Sequence, residues 1–168
     1  MSLLDEQLVE EWLNRQGFFT MRGIKCGVDE IDLLAIRECP DGMERWHVEV
    51  QISFNPIGYI GGGPSAKRRT PEEVRAGVVQ WVDKKFTKTI KSERRLSILP
   101  RSEWQYMLVH GISRHPVELE IMNELGVRTV PYSEVLAYLL ERGMKESSSI
   151  ASNILDILGY AKRMNVMN

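Results

Sequence analysis

Two segments of the sequence place acidic side chains inside stretches that otherwise have the composition of buried β-strands. They are GVDEIDLLAI, residues 27–36, and HVEVQIS, residues 47–53. In these segments Asp32 and Glu49 have apolar residues on both sides. An ionised carboxylate in apolar surroundings is unfavourable unless a cation or a hydrogen-bond donor meets it. The fold that this chain adopts must therefore bring a partner to each of the two acids.

The turn between the two segments predicts how the strands pair. Cys39–Gly42 has the composition of a type I turn, with proline and glycine in their favoured positions. If the turn is centred on its two middle residues, Asp32 lies opposite Glu49, and a shift by two residues would place it opposite Gln51 instead. In both registers the three side chains share one face of the hairpin, and directly opposed residues have Cβ atoms about 5 Å apart. One metal ion could then touch both carboxylates.

Hydrophobic periodicity and turn residues predict the remaining elements. Thr70, followed by proline and two acids, predicts a helix start. The predicted helices are 3–15, 71 to about 86, 116–125, 133–142 and 150–161, and the predicted strands are 18–22, 31–36, 46–54, 106–111 and 127–132. A lysine-rich connection is expected after the second helix. The order α-β-β-β-α-β-α-β-α-α predicts an α/β domain with one mixed sheet and helices on both sides.

Charge is distributed unevenly along a chain whose formal net charge is −1. Residues 1–50 contain 11 acids and 5 bases, a net charge of −6, whereas residues 65–101 contain 11 bases and 4 acids, a net charge of +7. A basic segment beside an acidic one suits a polyanionic substrate, but solvated lysines on a helix and loop would give the same pattern. No segment has the length and composition of a membrane span, and we expect a cytoplasmic protein that does not use the membrane. The two cysteines predict neither a disulfide framework nor a zinc site.

The acids on the two strands suggest a site for a hard divalent cation. Mg²⁺ typically uses one or two carboxylates together with waters and phosphate oxygens. We expect Mg²⁺ or Mn²⁺ to bind Asp32, Glu49 and a backbone carbonyl near Val50, with Glu6 in the first helix holding a second metal or a water. Glu10, one turn further on, competes with Glu6 for this role. The structural alternative is that the two strand acids form ion pairs with nearby cations, namely Arg22, Lys25 or Arg37.

The order of the elements and these motifs together resemble the PD-(D/E)XK nuclease superfamily, which has the restriction-endonuclease-like fold. Members of this superfamily have a helical glutamate before a Gly-aromatic pair, an aspartate in a strand of the form (I/V)DLIA, and a glutamate two residues before a lysine. EQLVEEWLNRQGF matches the helix with Glu6, EIDLLAI matches the aspartate with Asp32, and VEVQ matches the glutamate with Glu49. The similarity covers residues 3–140 and is closest to Holliday-junction-resolvase-like and methylation-directed restriction nucleases.

This resemblance implies a three-layer α/β/α domain over residues 1–145, followed by a helix in 146–168 that packs on the domain or on a partner subunit. It implies a metal-dependent endonuclease that hydrolyses phosphodiester bonds in DNA, in repair, recombination or defence, without a small-molecule cofactor. The alternative is an inactive nuclease-like domain that binds nucleic acid or a protein. A homodimer is left open.

The lysine position of the family motif is occupied by Gln51 in this chain. Glutamine can orient a water through its amide but carries no positive charge. Some members of the superfamily tolerate this exchange and others supply the lysine from the following helix, where Lys84 or Lys85 would reach back to the strand. Loss of activity is the third alternative.

Several further residues have expected roles outside the central acids. For DNA phosphates we expect Lys67, Arg68, Arg69, Lys84 and Lys85 as contacts, with Tyr59 stacking on a base or, alternatively, lying in a loop without a role. His47 is expected to be a strand-edge side chain near the site, and His110 and His115 to be structural. Asp29 and Glu30 are expected to be solvated loop acids rather than ligands, and the alternative is that either helps to load a metal.

Overall fold

A computed structural model of the protein describes residues 3–53, 59–61, 69–141 and 150–164. In chain order, the elements are α1 (Leu3–Arg15), β1 (Phe19–Cys26), β2 (Asp29–Cys39), β3 (Gly42–Gln51), α2 (Pro71–Val82), a π-helical turn (Asp83–Thr87), α3 (Thr89–Ile98), β4 (Gln105–His110), α4 (Pro116–Glu124), β5 (Val127–Pro131), α5 (Tyr132–Glu141) and α6 (Ile150–Arg163). None of the helices in the described ranges is long and apolar enough to cross a membrane.

Within the described residues the strands form one five-stranded mixed sheet in the order β1-β2-β3-β4-β5. The first three strands are antiparallel, and β4 and β5 run parallel to β3. Parallel neighbours need a long crossover, which α2 and α3 provide before β4 and α4 provides before β5. The predicted α/β class, with a mixed sheet between helices, is confirmed.

Apolar side chains on the two faces of the sheet form separate cores. One face packs against α1, α5 and α6 through Val48 and Val50 of β3 and Leu155 of α6. The other face packs against α2, the π-helical turn and α4, with Phe86 and Leu108 at its centre. Residues 142–149, which contain the predicted boundary at 145, lie outside the described part of the chain, but α6 contributes a buried side chain to the first core.

The central hairpin has the register that the turn composition predicts. Cys39 pairs with Gly42 and Leu33 pairs with Val48, so the same register places Asp32 opposite Glu49. The predicted start of α2 is also confirmed, because Thr70 and Glu73 form a reciprocal capping box at its N-terminus.

Several predicted boundaries are wrong. Residues 23–26, which lie beyond the predicted strand 18–22, continue β1, because a two-residue turn with Gly27 at φ +64° joins Cys26 to Asp29. The helix predicted to begin after Ser133 begins at Tyr132. The largest error is α3, which forms where we expected a lysine-rich connection.

Candidate acidic and basic cluster beneath the sheet

Asp32 lies in the middle of the sheet with 3% of its surface exposed. Its Oδ2 accepts a hydrogen bond of 2.8 Å from the backbone N–H of Val50 on the neighbouring strand. Burial raises the pKa of Asp32 from 3.8 to about 7, and the negative charge of Glu49 acts in the same direction. Within the described residues no cation forms an ion pair with Asp32. A buried carboxyl in this state is unusual, and functional sites are enriched in such groups.

Glu49 is equally buried but has three donors around its carboxylate. The Nζ of Lys91 and the Nε2 of His47 lie 2.7 Å and 3.0 Å from Oε1, and the Nζ of Lys85 lies 2.7 Å from Oε2. Burial acts to raise the pKa of Glu49. The hydrogen bond from His47 and the positive charge of Lys85 outweigh it, with Lys91 contributing less, and lower the pKa to about 2. Glu49 is therefore ionised throughout the physiological range.

The tautomer of His47 follows from its two partners. Arg95 donates through Nη1 to the Nδ1 of His47 at 2.8 Å, and because a guanidinium can only donate, Nδ1 must be the unprotonated nitrogen. The Nε2–H of the neutral ring then donates to Glu49. Burial lowers the pKa of His47 to about 4, which agrees with a neutral ring. The prediction of a strand-edge side chain is wrong, because His47 is fully buried and its ring packs edge-on against Phe86 at 4.9 Å.

Helix α3 supplies two of these partners from one side. Lys91 and Arg95 are one turn apart, and both are buried. Arg95 also donates to the carbonyl of Phe86 at 2.8 Å, which ties α3 to the preceding π-helical turn. Sequence reasoning missed this helix and both residues. A signal was present, since residues 89–99 contain neither glycine nor proline and are followed directly by Pro100.

Lys85, rather than residue 51, brings a positive charge to Glu49. Gln51 ends β3 and pairs with His110 of β4, whereas Lys85 reaches the Glu49 carboxylate from the π-helical turn after α2. Lys84 is exposed, so of the two lysines considered it is Lys85 that reaches back. π-Helical turns occur frequently at functional sites.

Glu6 of α1 acts electrostatically on both strand acids. Its side chain is buried, and burial raises its pKa, with the charge of Glu30 next in importance. Glu6 also acts on the pKa of Asp32. The competing residue, Glu10, instead lies 3.3 Å from the Nε of Arg22 and accepts from Thr20. The electrostatic effect on Asp32 favours Glu6 over Glu10 as the helical acid of the site.

The cations proposed as structural partners of the strand acids are used elsewhere. Their ion-pair partners are Glu10 for Arg22, Glu30 for Lys25 and Glu44 for Arg37. The expectation that Asp29 and Glu30 are solvated loop acids is also wrong, since both belong to β2. Asp29 lies 2.5 Å from the Nζ of Lys88, and this contact lowers its pKa.

The expected nucleic-acid contacts are described only in part. Lys67 and Arg68 lie outside the described residues. Arg69 lies over the ring of Tyr59 at 4.8 Å and donates to the Gly61 carbonyl, and the ring of His115 stacks on Tyr59 at 4.2 Å. Tyr59 therefore already has aromatic and cationic neighbours, which differs from an open stacking platform.

The arrangement of Asp32 and Glu49 meets some of the requirements of a binding site for a divalent cation. No group of three His, Cys, Asp or Glu side chains suited to a metal ion occurs in the described segments, but Mg²⁺ needs only one or two carboxylates. A carboxylate oxygen has two lone pairs. Both lone pairs of Glu49 Oε1 are used by Lys91 and His47, whereas Oε2 has one donor, Lys85. Asp32 Oδ2 and Glu49 Oε2 thus each retain one acceptor direction, and these two acids fit a hard cation.

A separate cavity of about 400 Å³ lies at the carboxyl ends of β3, β4 and β5. Ile52, His110, Leu119 and Leu136 are among the residues that line it, and neither Asp32 nor Glu49 does. Its walls are mainly apolar. The acidic and basic cluster is therefore distinct from the cavity.

Fold and site together define an α/β protein with a buried cluster of acids and bases beneath one face of a mixed sheet. Comparison with protein-family models and with curated proteins gives no match. Among solved structures the chain is similar to a protein of unknown function, AF1548, with 14% sequence identity, coverage of 96% of this chain and 97% of the other, and a TM-score of 0.49. At this level the similarity assigns neither a fold family nor a function.

Proposed function

We propose that the protein is a metal-dependent endonuclease of the PD-(D/E)XK superfamily that hydrolyses phosphodiester bonds in DNA. The motif resemblance supports this proposal, together with the element order and the electrostatic interaction of Glu6 with Asp32 and Glu49. On this proposal the domain has the restriction-endonuclease-like fold, Mg²⁺ or Mn²⁺ is the cofactor, DNA is the partner and the cytoplasm is the compartment.

One observation carries the proposal: Asp32 is a buried carboxyl with a pKa near 7, opposite a second carboxylate on the next strand. Such a group reduces the stability of the fold when it is ionised. Residues that reduce stability are found preferentially where function requires them. A divalent cation bound to Asp32 would offset this loss of stability.

The roles of the residues follow from their contacts. Asp32 and Glu49, with the backbone carbonyl of Val50, would hold the cation, which when bound acts as a Lewis acid at the scissile phosphate. Lys85 keeps its proton, because Glu49 raises its pKa against the opposing effect of burial, so it provides a positive charge beside the phosphate. Gln51 would orient a water through its amide.

The test is DNA cleavage by the purified protein with and without Mg²⁺ or Mn²⁺, on supercoiled, linear and branched DNA. Asp32→Ala and Glu49→Ala should each abolish cleavage. The matched control is Glu38→Gln, which changes an exposed acid on the same strand as Asp32 and should retain it. Cleavage that persists in both alanine variants would refute the proposal.

A nuclease-like domain without catalytic activity is the second candidate. It is favoured by the two ammonium groups that hold both oxygens of Glu49, and by the glutamine at position 51. Calorimetry separates the two candidates. Salt-sensitive DNA binding without any binding of a divalent metal would support the inactive domain.

A further inference from the structure

The two lysines that contact Glu49 differ in how firmly they are held. The side chain of Lys91 is 2% exposed and that of Lys85 is 27% exposed. Both Nζ atoms lie 2.7 Å from a Glu49 oxygen, so distance alone does not separate them. Their difference in exposure suggests different roles at one carboxylate.

Lys91 is fixed within the interior. It shares Oε1 of Glu49 with His47, and the ring of His47 is held in place by Arg95. Moving Lys91 away would bury its ammonium without a partner, and unpaired buried charge is strongly unfavourable. Oε1 is therefore occupied permanently.

Lys85 lies at the rim of the cluster, and its ammonium can leave Glu49 for solvent. Its stem leaves the π-helical turn, and its partly exposed ammonium can move toward water without losing all solvation. Besides Glu49, the charges of Asp32 and Asp29 act on Lys85. Lys85 thus places one positive charge where the two strand acids face each other.

We propose that Lys85 is a displaceable internal cation that contacts Glu49 Oε2 beside Asp32 and gives way to a divalent metal ion bound by the two acids. This inference rests on the proposed function, because it needs a metal at that site. In the metal-free protein Lys85 offsets the repulsion between the two carboxylates. When a metal binds, Lys85 leaves Oε2 and its ammonium becomes available to a phosphate oxygen of the substrate.

Displacement of Lys85 by the metal ion predicts that removing the lysine has opposite effects on metal affinity and on DNA cleavage. Lys85→Met removes the competing charge, so Mn²⁺ should bind at least tenfold more tightly, the equivalent of about 1.4 kcal/mol, because a nearby positive charge repels the ion. The same variant should cleave DNA more slowly. A residue with only a structural role would not tighten metal binding.

The measurement is titration calorimetry of the full chain with Mn²⁺ at about pH 8.5, above the pKa of Asp32. Lys84→Met is the matched control, since it removes the same charge from an exposed neighbour that does not contact Glu49, and its Mn²⁺ affinity should equal that of the wild type. Lys85→Arg keeps the charge and should not tighten binding.

The outcomes separate this inference from the proposed function. If the wild type binds Mn²⁺ and Lys85→Met binds no more tightly, Lys85 is not a competing cation and the inference fails alone. If neither protein binds Mn²⁺, both ideas fail. Should Lys85→Met not fold, Lys85→Gln gives the same comparison, and the increase in Tm on adding Mn²⁺ provides a second readout, larger in the variant than in the wild type.

Discussion

Replacing Asp32 with asparagine should stabilise the metal-free protein at alkaline pH. The ordinary pKa of this carboxyl is 3.8, and in the folded protein it rises to about 7. Between these values the folded protein holds a proton that the unfolded chain has released, so the free energy of unfolding falls as pH rises. Below about pH 4 the carboxyl is protonated in both states and the penalty is absent.

The magnitude follows from the same two values. Each pH unit between them reduces the free energy of unfolding by about 1.4 kcal/mol, so the full penalty above pH 7 is about 4 kcal/mol. Asp32 is only 3% exposed, and solvent therefore screens this effect little. The amide introduced by Asp32→Asn keeps an oxygen that can accept from the Val50 N–H but never ionises.

Urea unfolding with a chelator present, at about pH 4 and about pH 8.5, measures this difference. Asp32→Asn should match the wild type at the acidic pH and exceed its stability by up to about 4 kcal/mol at the alkaline pH. Asp29→Asn is the matched control on the same strand. The pKa of Asp29 is lowered by Lys88, so Asp29 contributes stability above its ordinary pKa and the control should lose stability at alkaline pH. An Asp32→Asn effect that is unfavourable or independent of pH would refute the reasoning.

Two further predictions concern packing and charge within the described residues. Lys91→Met leaves Glu49 buried with less compensating charge, and chemical denaturation should show a loss of about 3–5 kcal/mol; a loss below about 1 kcal/mol would show that Lys85 and His47 suffice. Gly77→Ala places a Cβ 2.3 Å from the Gly61 carbonyl oxygen and should lower the free energy of unfolding by about 1–3 kcal/mol through overpacking. A Cβ added at Gly159 meets nothing within 4 Å, so Gly159→Ala should raise the free energy of unfolding by about 0.5–1 kcal/mol, because alanine favours the helix more than glycine does. Equal effects of the two substitutions in thermal unfolding would contradict this account.

The hairpin could be predicted from sequence because local rules determine it. A two-residue turn between Cys39 and Gly42 fixes the register of β2 and β3, and alternation along each strand then fixes which side chains share a face. Asp32 and Glu49 consequently face each other as expected. No long-range information was needed for this part of the site.

Helix α3 could not be predicted by hydrophobic periodicity, because apolar residues of this helix face solvent and charged residues face the interior. Ile90 and Leu96 are 38% and 47% exposed, whereas Lys91 and Arg95 are buried. A periodicity argument assigns apolar residues to the interior and charged residues to solvent. Here the interior that α3 faces is polar, since it contains Glu49 and His47, so the charged residues turn inward to meet them.

The difference between the two acids also depends on residues distant in the chain. By sequence, Asp32 and Glu49 are similar carboxylates in similar strands, yet the pKa of one rises to about 7 and that of the other falls to about 2. Both are buried, so burial alone would raise both values. The difference arises because His47 donates a hydrogen bond to Glu49 and because Lys85 and Lys91, which follow β3 by more than thirty residues, reach the same carboxylate. Pairs of titratable groups whose environments separate their pKa values are a recurrent feature of active sites. Glu49 is thus ionised throughout the physiological range, whereas the charge of Asp32 changes near pH 7.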